Sequence, residues 1–446
     1  MNYADSARIQ AVLLNCWFSY TPNIDDADIV IFDTCSIKQK AEDKITGMLK
    51  NIKPHQKVRL TWCMIQHNLK NEKNKKLGNF LWSLKTGTEI PINEAFNPLF
   101  SILAKKKKRI ELFFRIDDTG LLPLILPKLG YKITCDPEMI YEYEKILPQG
   151  INTSMNSHHT TTAYIPISTW CNQFCSYCIV PFARGLERNF PIKQIVTEAK
   201  MHLQQGAKEI VLLGQIVNKH PDFLQILKKI LQLKWLQRLR YTSPYPTFFS
   251  KELLHLHQTQ KKLCPHIHIP FQSGSDKILK QMHRGYTLAQ AKKCIDAIRW
   301  LSREISITTD IIVWFPGETE KDFKQTLDLV KYGKFDMIYI GIYSARPWTL
   351  ASKSMPDTIP YTTKHARWDK LNELLKKIST ANNKKEIWST HTVVINSTTQ
   401  HLNSWYTENM KQVLIKSKTP LKPGSFVTAK ITKGIPFKLY WDAIPH

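Results

Sequence analysis

The chain has 446 residues and a formal net charge of +26, since 63 Lys and Arg residues stand against 37 Asp and Glu residues. This length favours two or three domains, and so basic a chain favours a polyanionic partner, above all nucleic acid, with a solvated lysine surface as the alternative. No apolar run approaches the roughly 20 residues of a membrane-spanning helix, and no signal peptide opens the chain. We therefore expect a protein without a membrane anchor in the reducing cytoplasm, which suits its nine cysteines.

Residues 1–85 show the pattern of an α/β domain. An apolar strand over 27–32 precedes Cys35, and a second strand over 58–61 precedes Cys63. Open α/β sheets bind ligands beyond the carboxyl ends of their strands, so both cysteines are candidate metal ligands. Two buried free cysteines are the alternative.

A polar stretch near residues 152–162 leads into a region where strand and helix patterns alternate. The predicted strands lie near 163–168, 208–213, 237–242, 265–270, 306–313 and 336–343. Helices are predicted between them, for example over 191–204, 287–301 and 319–332. Six such βα units predict a parallel sheet that curves into an open (β/α)6 barrel, with its chemistry at the carboxyl ends of the strands.

The last part of the chain changes to a β pattern after a charged helix over residues 364–382. Short strand-like runs near 391–395, 411–416, 425–431 and 436–440 predict a small β-barrel. We therefore expect an α/β chain of three domains. These are an N-terminal α/β domain over 1–150, a barrel domain over 157–385 and a C-terminal β-barrel over 386–446.

Three cysteines lie close together directly after the first predicted barrel strand. Cys171, Cys175 and Cys178 have the spacing C-x3-C-x2-C. Three thiolates on one loop can hold three irons of a [4Fe–4S] cluster and leave the fourth iron open to a substrate. Zinc is the alternative, but zinc sites usually combine two short pairs of Cys or His, and no fourth ligand follows at that spacing. The loop therefore predicts a catalytic iron–sulfur cluster.

This spacing resembles the signature of the radical S-adenosylmethionine (SAM) enzymes. The stretches 33–44 and 63–66, together with Met1-Asn2, are similar to motifs of the methylthiotransferase family within that superfamily. Four further segments resemble the branch that modifies tRNA adenosine, the MiaB type: residues 212–218, 272–276, 315–319 and 344–347. Residues 406–409 resemble the TRAM domain, an RNA-binding barrel.

The resemblance implies an enzyme that methylthiolates C2 of N6-isopentenyladenosine beside the tRNA anticodon, with one SAM for the methyl group and a second for the radical. It implies the tRNA anticodon loop as partner, flavodoxin or ferredoxin as electron donor, and a monomer. Methylthiotransferases acting on threonylcarbamoyl-adenosine or on a ribosomal-protein aspartate are close alternatives. A non-catalytic RNA-binding relative that lacks the auxiliary cluster is the alternative from another class.

By the same resemblance, Cys35 and Cys63 are two of three ligands of a second, auxiliary [4Fe–4S] cluster that carries the inserted sulfur. The third cysteine of that motif belongs two residues before Met1-Asn2. We therefore expect a misassigned start, the alternative being a second cluster that lacks one ligand. Cys16 is a poor substitute, because its context predicts the end of a helix.

Candidate cofactor contacts lie at predicted strand ends near the cysteine loop. Tyr177 is a candidate to pack on the adenine of SAM, with a structural contact as the alternative. Small polar residues end the second and fourth barrel strands and are candidates for backbone contacts to SAM, with plain turns as the alternative; these are Gly214, Gln215, Ser273, Gly274 and Ser275. Arg184 is a candidate for a carboxylate or phosphate contact, although the Ser-Arg pair that the family has nearby is here Asn189-Phe190.

Other candidates concern the RNA. Arg284 and Arg346 are candidate RNA contacts, because a guanidinium can stack on a base or hold a phosphate. His266 and His268 alternate on the fourth strand and are interpreted as packing or base contacts. Asp310, on the fifth strand, is interpreted as a buried acid of the barrel.

Glycine is scarce in this chain, with 16 of 446 residues against a usual share of about 7%, whereas tryptophan is abundant at 12. Tryptophan stands where the resemblance calls for glycine at Trp62, Trp170, Trp314, Trp348 and Trp405, with Trp17 and Trp235 as weaker cases. Glycine permits positive φ and close backbone approach, and an indole does neither. We hypothesise that UGA codons, which some bacteria read as glycine, have been written as tryptophan. Real substitution, with bulky side chains at compact sites, is the alternative.

Overall fold

The computed structural model describes most of the chain from residue 161 onward and part of the region before it. The described residues are 2–34, 44, 47–62, 110–114, 116–133, 146, 161–184, 187–357, 359–395, 397–399, 402–416, 421–422 and 424–442. They divide into two compact units, one of residues 1–155 with 178–187 and one of residues 156–177 with 188–446. Within these residues, no helix is both long and apolar enough to cross a membrane.

The first unit contains a three-stranded parallel sheet in the order β1-β2-β3. Its described elements are α1 Asn2–Asn15, β1 Ile29–Thr34, β2 Lys57–Trp62, β3 Ile110–Phe114 and α2 Leu122–Lys128. Asn2 Nδ2 and Ser6 Oγ donate to the carboxylate of Asp33, at 3.4 and 2.9 Å. These bonds hold the start of α1 beside the carboxyl end of β1. Cys35 and Cys63, which follow β1 and β2 in the sequence, lie outside the described residues.

The second unit is built from alternating strands and helices, followed by strands alone. Its strands are β4 Thr162–Pro166, β5 Ser168–Thr169, β6 Arg188–Asn189, β7 Glu209–Leu213, β8 Arg238–Tyr241, β9 His266–His268, β10 Ser306–Val313, β11 Met337–Ile342, β12 Thr390–Val394, β13 Ser397–Thr399, β14 Leu402–Tyr406, β15 Gln412–Lys416, β16 Phe426–Lys430, β17 Lys433–Ile435 and β18 Lys438–Asp442. The short helix α3, Val180–Arg184, belongs to the first unit. The helices of the second unit are α4 Ile192–Gln204, α5 Phe223–Leu231, α6 Lys251–Thr259, α7 Asp276–Gln281, α8 Leu288–Arg299, α9 Glu320–Gly333, α10 Leu350–Ser354 and α11 Tyr361–Lys385.

Six strands of this unit are parallel and run in chain order. They form the sheets β4-β7-β8 and β9-β10-β11, and a parallel bridge between Leu239 and Leu263 connects β8 to the segment before β9. The predicted positions of all six strands are confirmed. The apolar face of β9 and β10, with Ile267, Ile307 and Ile311, is buried against α8 and α9. The carboxyl ends of the six strands therefore provide the edge at which ligands are expected.

Local sequence signals fix where the helices begin. Ser275 accepts a hydrogen bond from the Ile278 amide at the start of α7, and Thr287 and Thr319 form capping boxes at the starts of α8 and α9. Such caps satisfy amide groups that have no partner inside the helix. They set the ends of the helices that follow barrel strands.

The C-terminal strands form two antiparallel or mixed sheets. One pairs β12 with β16, and the other has the order β13-β14-β15-β18-β17. A common apolar core lies between them: Val393, Ile395, Val413, Ile415, Ala429, Ile431 and Leu439. The sequence predicted four of these strands, whereas β13, β14 and β17 were not predicted. Trp405 lies within β14 and not in a turn.

Candidate functional site

The three-cysteine loop follows β5 and is fastened at Ser176. The Ser176 amide donates to the Met282 carbonyl at 3.1 Å, and its hydroxyl donates to the Gln281 carbonyl at 2.7 Å. The Ser176 carbonyl accepts from the Ala351 amide at 2.8 Å. Cys171, Cys175 and Cys178 themselves are of intermediate burial and are not joined in disulfide bonds. The loop is thus held by the end of α7 and by α10, while its thiols stay accessible.

Two donors point at sulfur atoms of this loop. The Gln173 amide donates to Cys171 Sγ, and Arg284 Nη1 donates to Cys175 Sγ, both at 3.4 Å. Burial lowers the pKa of Arg284, but Tyr286, Tyr177 and Cys175 hold that pKa well above its ordinary value. A fixed cation and amide donors stabilise thiolates, and hydrogen bonds to sulfur tune the potential of a cluster.

Tyr245 joins the parts of this site. Its hydroxyl accepts hydrogen bonds from the Gly285 amide at 2.8 Å and from Gln173 Nε2 at 3.3 Å. Its ring lies 4.7 Å from the guanidinium carbon of Arg284. Asn218 clamps the Tyr245 backbone: Oδ1 accepts from its amide at 2.7 Å, and Nδ2 donates to its carbonyl at 3.0 Å. Sequence reasoning missed Tyr245, although Asn218 closes one of the motifs noted above.

The comparisons with known proteins bear directly on this loop and its setting. Residues 165–330 match the radical SAM superfamily, and residues 1–81 match the family described as uncharacterized protein family UPF0004. A curated relative from Caldicellulosiruptor saccharolyticus, named tRNA-2-methylthio-N(6)-dimethylallyladenosine synthase, is 32% identical over 100% of this chain and 90% of its own. This chain belongs to the radical SAM tRNA methylthiotransferase family of the MiaB type.

Two further relatives agree with that assignment. A protein of the same name from Carboxydothermus hydrogenoformans is 32% identical over 98% of this methylthiotransferase and 96% of its own chain. One from Thermoanaerobacter sp. is 33% identical over 85% and 76%. A solved structure of a radical SAM methyltransferase from Kitasatospora setae is 13% identical, with a TM-score of 0.44 over 73% of this chain and 66% of that chain.

The residues after β9 have a structural role in the methylthiotransferase. Ser275 Oγ donates to Asp322 Oδ1 at 2.6 Å, and the Gly274 amide donates to Thr326 Oγ1 at 3.0 Å. A Cβ atom on Gly274 would lie 2.5 Å from the Gln325 carbonyl, so only glycine lets this turn pack on α9. Ser273 is also buried. The Gly274 amide and the Ser275 hydroxyl are thus engaged within the protein, and the contact of these residues to SAM stays a prediction.

Four other predicted SAM contacts have different surroundings. Gly214 follows β7 in close contact with Ser168, whose Oγ would lie 2.9 Å from an added Cβ atom. Gln215 is half-buried at the same strand end. The Tyr177 ring packs edge-on to Phe315, with centroids 6.4 Å apart. Arg184 ends α3, and its side chain lies outside the described set. The contacts of these four residues to SAM stay predictions.

The two arginines predicted to bind RNA are half-buried (Arg284) and buried (Arg346). The Arg284 guanidinium is engaged with Cys175, with the Pro270 carbonyl at 2.9 Å and with the rings of Tyr245 and Tyr286. Arg346 is only 5% exposed. Arg284, which is half-buried, thus contacts the cysteine loop, whereas Arg346 is buried, and their contacts to RNA stay predictions.

The donor set of the loop fits an iron–sulfur cluster. No three Cys, His, Asp or Glu side chains in the described ranges stand close enough together to hold a single metal ion. A four-iron cluster needs thiols spaced around a larger body, and this loop presents three of them with donors toward two sulfurs. Cys35 and Cys63, the predicted ligands of the second cluster, lie outside the described residues.

Proposed function

We propose that this enzyme adds a methylthio group to C2 of N6-isopentenyladenosine beside the anticodon of tRNA. The observation that carries the proposal is the 32% identity, over the whole chain, to a Caldicellulosiruptor saccharolyticus protein whose name states that product. Two features support it. The cysteine loop suits an open-iron cluster, and the net charge of +26 suits contacts to the phosphates of RNA.

In this proposal the six parallel strands close into a partial (β/α)6 barrel with the cysteine loop at its carboxyl-end face. The bridge between Leu239 and Leu263 supports closure, because it links the two three-stranded sheets. The C-terminal sheets act as a TRAM-type RNA-binding barrel. Their shared core and their all-β composition support this part.

The chain's own residues prepare the radical chemistry. The C2 hydrogen of adenine is not acidic, and the bound cluster with SAM would supply the radical that removes it. Cys171, Cys175 and Cys178 would hold the cluster through thiolates. Arg284 donates a hydrogen bond to Cys175 Sγ, and the ring of Tyr245 packs on Arg284. A base in an anticodon loop is already partly unstacked, so extruding it into the barrel costs only a few kcal/mol.

The remaining parts of the proposal concern the sulfur source and the partners. Cys35 and Cys63 would hold a second [4Fe–4S] cluster, from which the inserted sulfur is drawn. They directly follow β1 and β2 in the sequence, and the pairing of the last residues of these parallel strands, Thr34 and Trp62, supports the proposal. SAM is used as methyl donor and as radical source, and flavodoxin or ferredoxin supplies electrons. The enzyme acts as a monomer in the cytoplasm.

The test is nucleoside analysis of tRNA from a deletion strain of the native organism. We expect N6-isopentenyladenosine to accumulate without its methylthio group, and the wild-type gene, but not C175A, to restore the modification. Accumulation of unmodified threonylcarbamoyl-adenosine would support that substrate instead. An anaerobically purified protein with about eight irons would hold two clusters. Unchanged tRNA together with about four irons or fewer would support the non-catalytic relative.

A further inference from the structure

Six of the eleven tryptophans that the structure describes adopt a backbone conformation that favours glycine. Among the described residues, thirteen non-glycine residues have positive φ, and six of the thirteen are tryptophan, with φ between 60° and 72°. They are Trp17, Trp170, Trp235, Trp314, Trp348 and Trp388. A Cβ atom is strained in this region, and a bulky side chain is rarely found there.

The surroundings of Trp17 show a glycine site by geometry. It follows α1, where the Phe18 amide donates to the Leu13 carbonyl at 3.1 Å and the Trp17 amide donates to the Leu14 carbonyl at 3.0 Å. These paired bonds form a Schellman motif, whose left-handed position is usually glycine. The Trp17 side chain is 81% exposed, so packing does not compensate the strain.

Trp348 occupies a second glycine position of known type. The Thr349 amide donates to the Arg346 carbonyl at 3.3 Å and closes a four-residue turn, with Pro347 second and Trp348 third, at a φ of 70°. Proline second and positive φ third are the marks of a type II turn, which requires glycine or asparagine in third place. The Schellman motif at Trp17 and the type II turn at Trp348 thus both favour glycine where this chain has tryptophan.

We propose that these six positions are glycine in the polypeptide that the native organism makes, because its ribosomes read UGA as glycine. The exchange raises glycine from 16 to 22 residues and relieves its scarcity. Trp368 is different. It lies within α11, its indole N–H donates to the Ile340 carbonyl at 3.3 Å, and its ring packs on the core. Trp368 is therefore tryptophan in the native protein.

Peptide mass spectrometry of the protein purified from its native organism tests the proposal. We expect glycine at positions 17, 170 and 348 and tryptophan at position 368. Tryptophan at position 17, 170 or 348 would overturn it. A recombinant pair gives a second readout: W17G should raise Tm by roughly 2–4 °C, whereas W368G should lower Tm. If the W17G variant were no more stable than the protein with Trp17, position 17 would not favour glycine, and the structural argument for the proposal would be wrong.

A separate observation concerns the face of β9 and β10 opposite the apolar core. His266 Nε2 and His268 Nδ1 lie 3.0 and 2.9 Å from Thr308 Oγ1, and His268 Nε2 lies 3.1 Å from Asp310 Oδ2. With Nε2 of His268 donating to Asp310, Nδ1 accepts from the Thr308 hydroxyl. The four side chains form one hydrogen-bonded row that ends at a carboxylate.

The end of this row is open. The Asp310 side chain is 35% exposed, and Oδ1 accepts no hydrogen bond from the part of the chain that the structure describes. Tyr339 stands opposite Asp310 in the register of β10 and β11, with its ring 5.6 Å from the His268 ring and 48% of its surface exposed. A carboxylate acceptor and an aromatic face thus lie side by side.

The row also lies near the cysteine loop. His268 is two residues before Pro270, whose carbonyl accepts from Arg284 Nη2, and Arg284 Nη1 contacts Cys175. Two residues of extended chain span at most about 7 Å. His268, which contacts the Asp310 carboxylate from the neighbouring strand β9, therefore lies on the strand that leads to the cysteine loop.

We infer that Asp310 and Tyr339 bind the target base, with Asp310 accepting its N6–H and Tyr339 stacking on its ring. This inference rests on the proposed function, because N6-isopentenyladenosine keeps one hydrogen on N6 and so matches a carboxylate acceptor. Stacking on exposed aromatic side chains is the common way to hold an extruded RNA base. His268 is a positioning residue that orients the carboxylate.

The experiment compares D310L, D310N and the surface control D328L on an anticodon stem-loop RNA that carries N6-isopentenyladenosine. We expect kcat/KM to fall roughly tenfold to a hundredfold in D310L, less in D310N, which keeps one acceptor oxygen, and within twofold in D328L. The ratio of methylthiolation to RNA-free SAM cleavage should fall in D310L and D310N and stay unchanged in D328L. An RNA whose N6 is also methylated should be a poor substrate for the wild type and lose nothing further in D310L.

Two results would overturn the inference. One is a kcat/KM in D310L equal to that of the wild type, and the other is an equal fall in RNA-free SAM cleavage, which would indicate damage to the cofactor site. A wild-type enzyme that cleaves SAM but leaves this RNA unmodified contradicts the proposed function itself, and this inference with it.

Discussion

Arg284 and Arg240 are both enclosed arginines of the second unit, yet their partners differ in kind. Arg284 donates to a thiol and a carbonyl and lies against two tyrosine rings. Arg240 donates to the Glu209 carboxylate at 2.6 Å and to the carbonyls of Thr407 and Glu408, both at 2.9 Å. Arg240 is paired with a carboxylate inside the protein, whereas Arg284 donates a hydrogen bond to the sulfur of Cys175, a predicted cluster ligand.

The network of Arg240 continues into the C-terminal strands. His391 Nε2 lies 2.8 Å from Glu386, and its Nδ1 lies 3.1 Å from Glu408. Lys411 lies 2.8 Å from the other oxygen of Glu386. Because each charge has an opposite partner, this network should govern stability and leave catalysis alone. The cysteine loop should behave in the opposite way, and variants can separate the two.

The largest effect on catalysis is expected from C175A. Loss of one of three thiolate ligands should remove the cluster, so that the iron content falls by about four irons per chain. Methylthiolation should fall at least ~1000-fold. The free energy of unfolding of the metal-free protein should change by less than about 1 kcal/mol. Iron assay and product analysis measure these quantities. The matched control is C294A, a buried cysteine of the core, which should keep its iron and lose stability instead. Normal iron in C175A would contradict the ligand assignment.

The largest effect on stability is expected from R240M. The change leaves the Glu209 carboxylate buried without its closest partner, which typically costs about 3–5 kcal/mol. Urea denaturation measures it. K331M serves as control, since Lys331 pairs with Asp328 on the exposed surface, where such pairs contribute about 0–1 kcal/mol. Equal losses in the free energy of unfolding of R240M and K331M would show that the buried network stabilises the protein no more than an exposed ion pair.

A pH dependence should follow from His391. Burial lowers its pKa, but hydrogen bonds to Glu386 and Glu408 outweigh burial and raise the pKa to about 9 from an ordinary 6.5. The stabilisation is fully present below pH 6.5 and is lost as the pH rises through 9, a change of at most about 3 kcal/mol. Tm measured from pH 6 to 10 should fall more steeply for the wild type than for H391Q. Parallel curves would exclude this role.

The smallest effect is expected from R284K. Lysine keeps the positive charge but loses the planar fork that reaches Cys175 and Pro270 together, so we expect kcat to fall roughly tenfold, about 1.4 kcal/mol, with little change in Tm. A shift in the reduction potential of the bound cluster, read by spectroelectrochemistry, distinguishes an effect on sulfur from a general disturbance. An unchanged potential with normal kcat would mean that the contact to Cys175 is incidental.

Local pattern was sufficient for much of the fold. The apolar runs that predicted β4, β7 and β10 are confirmed, because a continuous apolar run is typical of a parallel strand that is covered on both faces. The short strands β13 and β17 were missed, since three residues carry too little pattern for a prediction.

Contacts between distant segments could not be read in the same way. Ser275 and Gly274 have the composition of a ligand-binding turn, yet their partners Asp322 and Thr326 on α9 lie about fifty residues later and engage them. Arg284 likewise meets Cys175 only through the fold. Spacing alone identified the three cysteines, because their ligand geometry is local to one loop. The residues that support that loop are not local, and Tyr245 was missed for this reason.

The helix end at Trp17 has a practical consequence for anyone who moves this gene. If its codon is UGA, a host with the standard genetic code stops translation there and releases a peptide that ends at Cys16. That fragment contains α1 and none of the strands β1 to β3, against which the buried residues of α1 would rest. Heterologous production would therefore fail at the ribosome before folding begins, and a gene resynthesised with ordinary glycine codons would restore the full-length product.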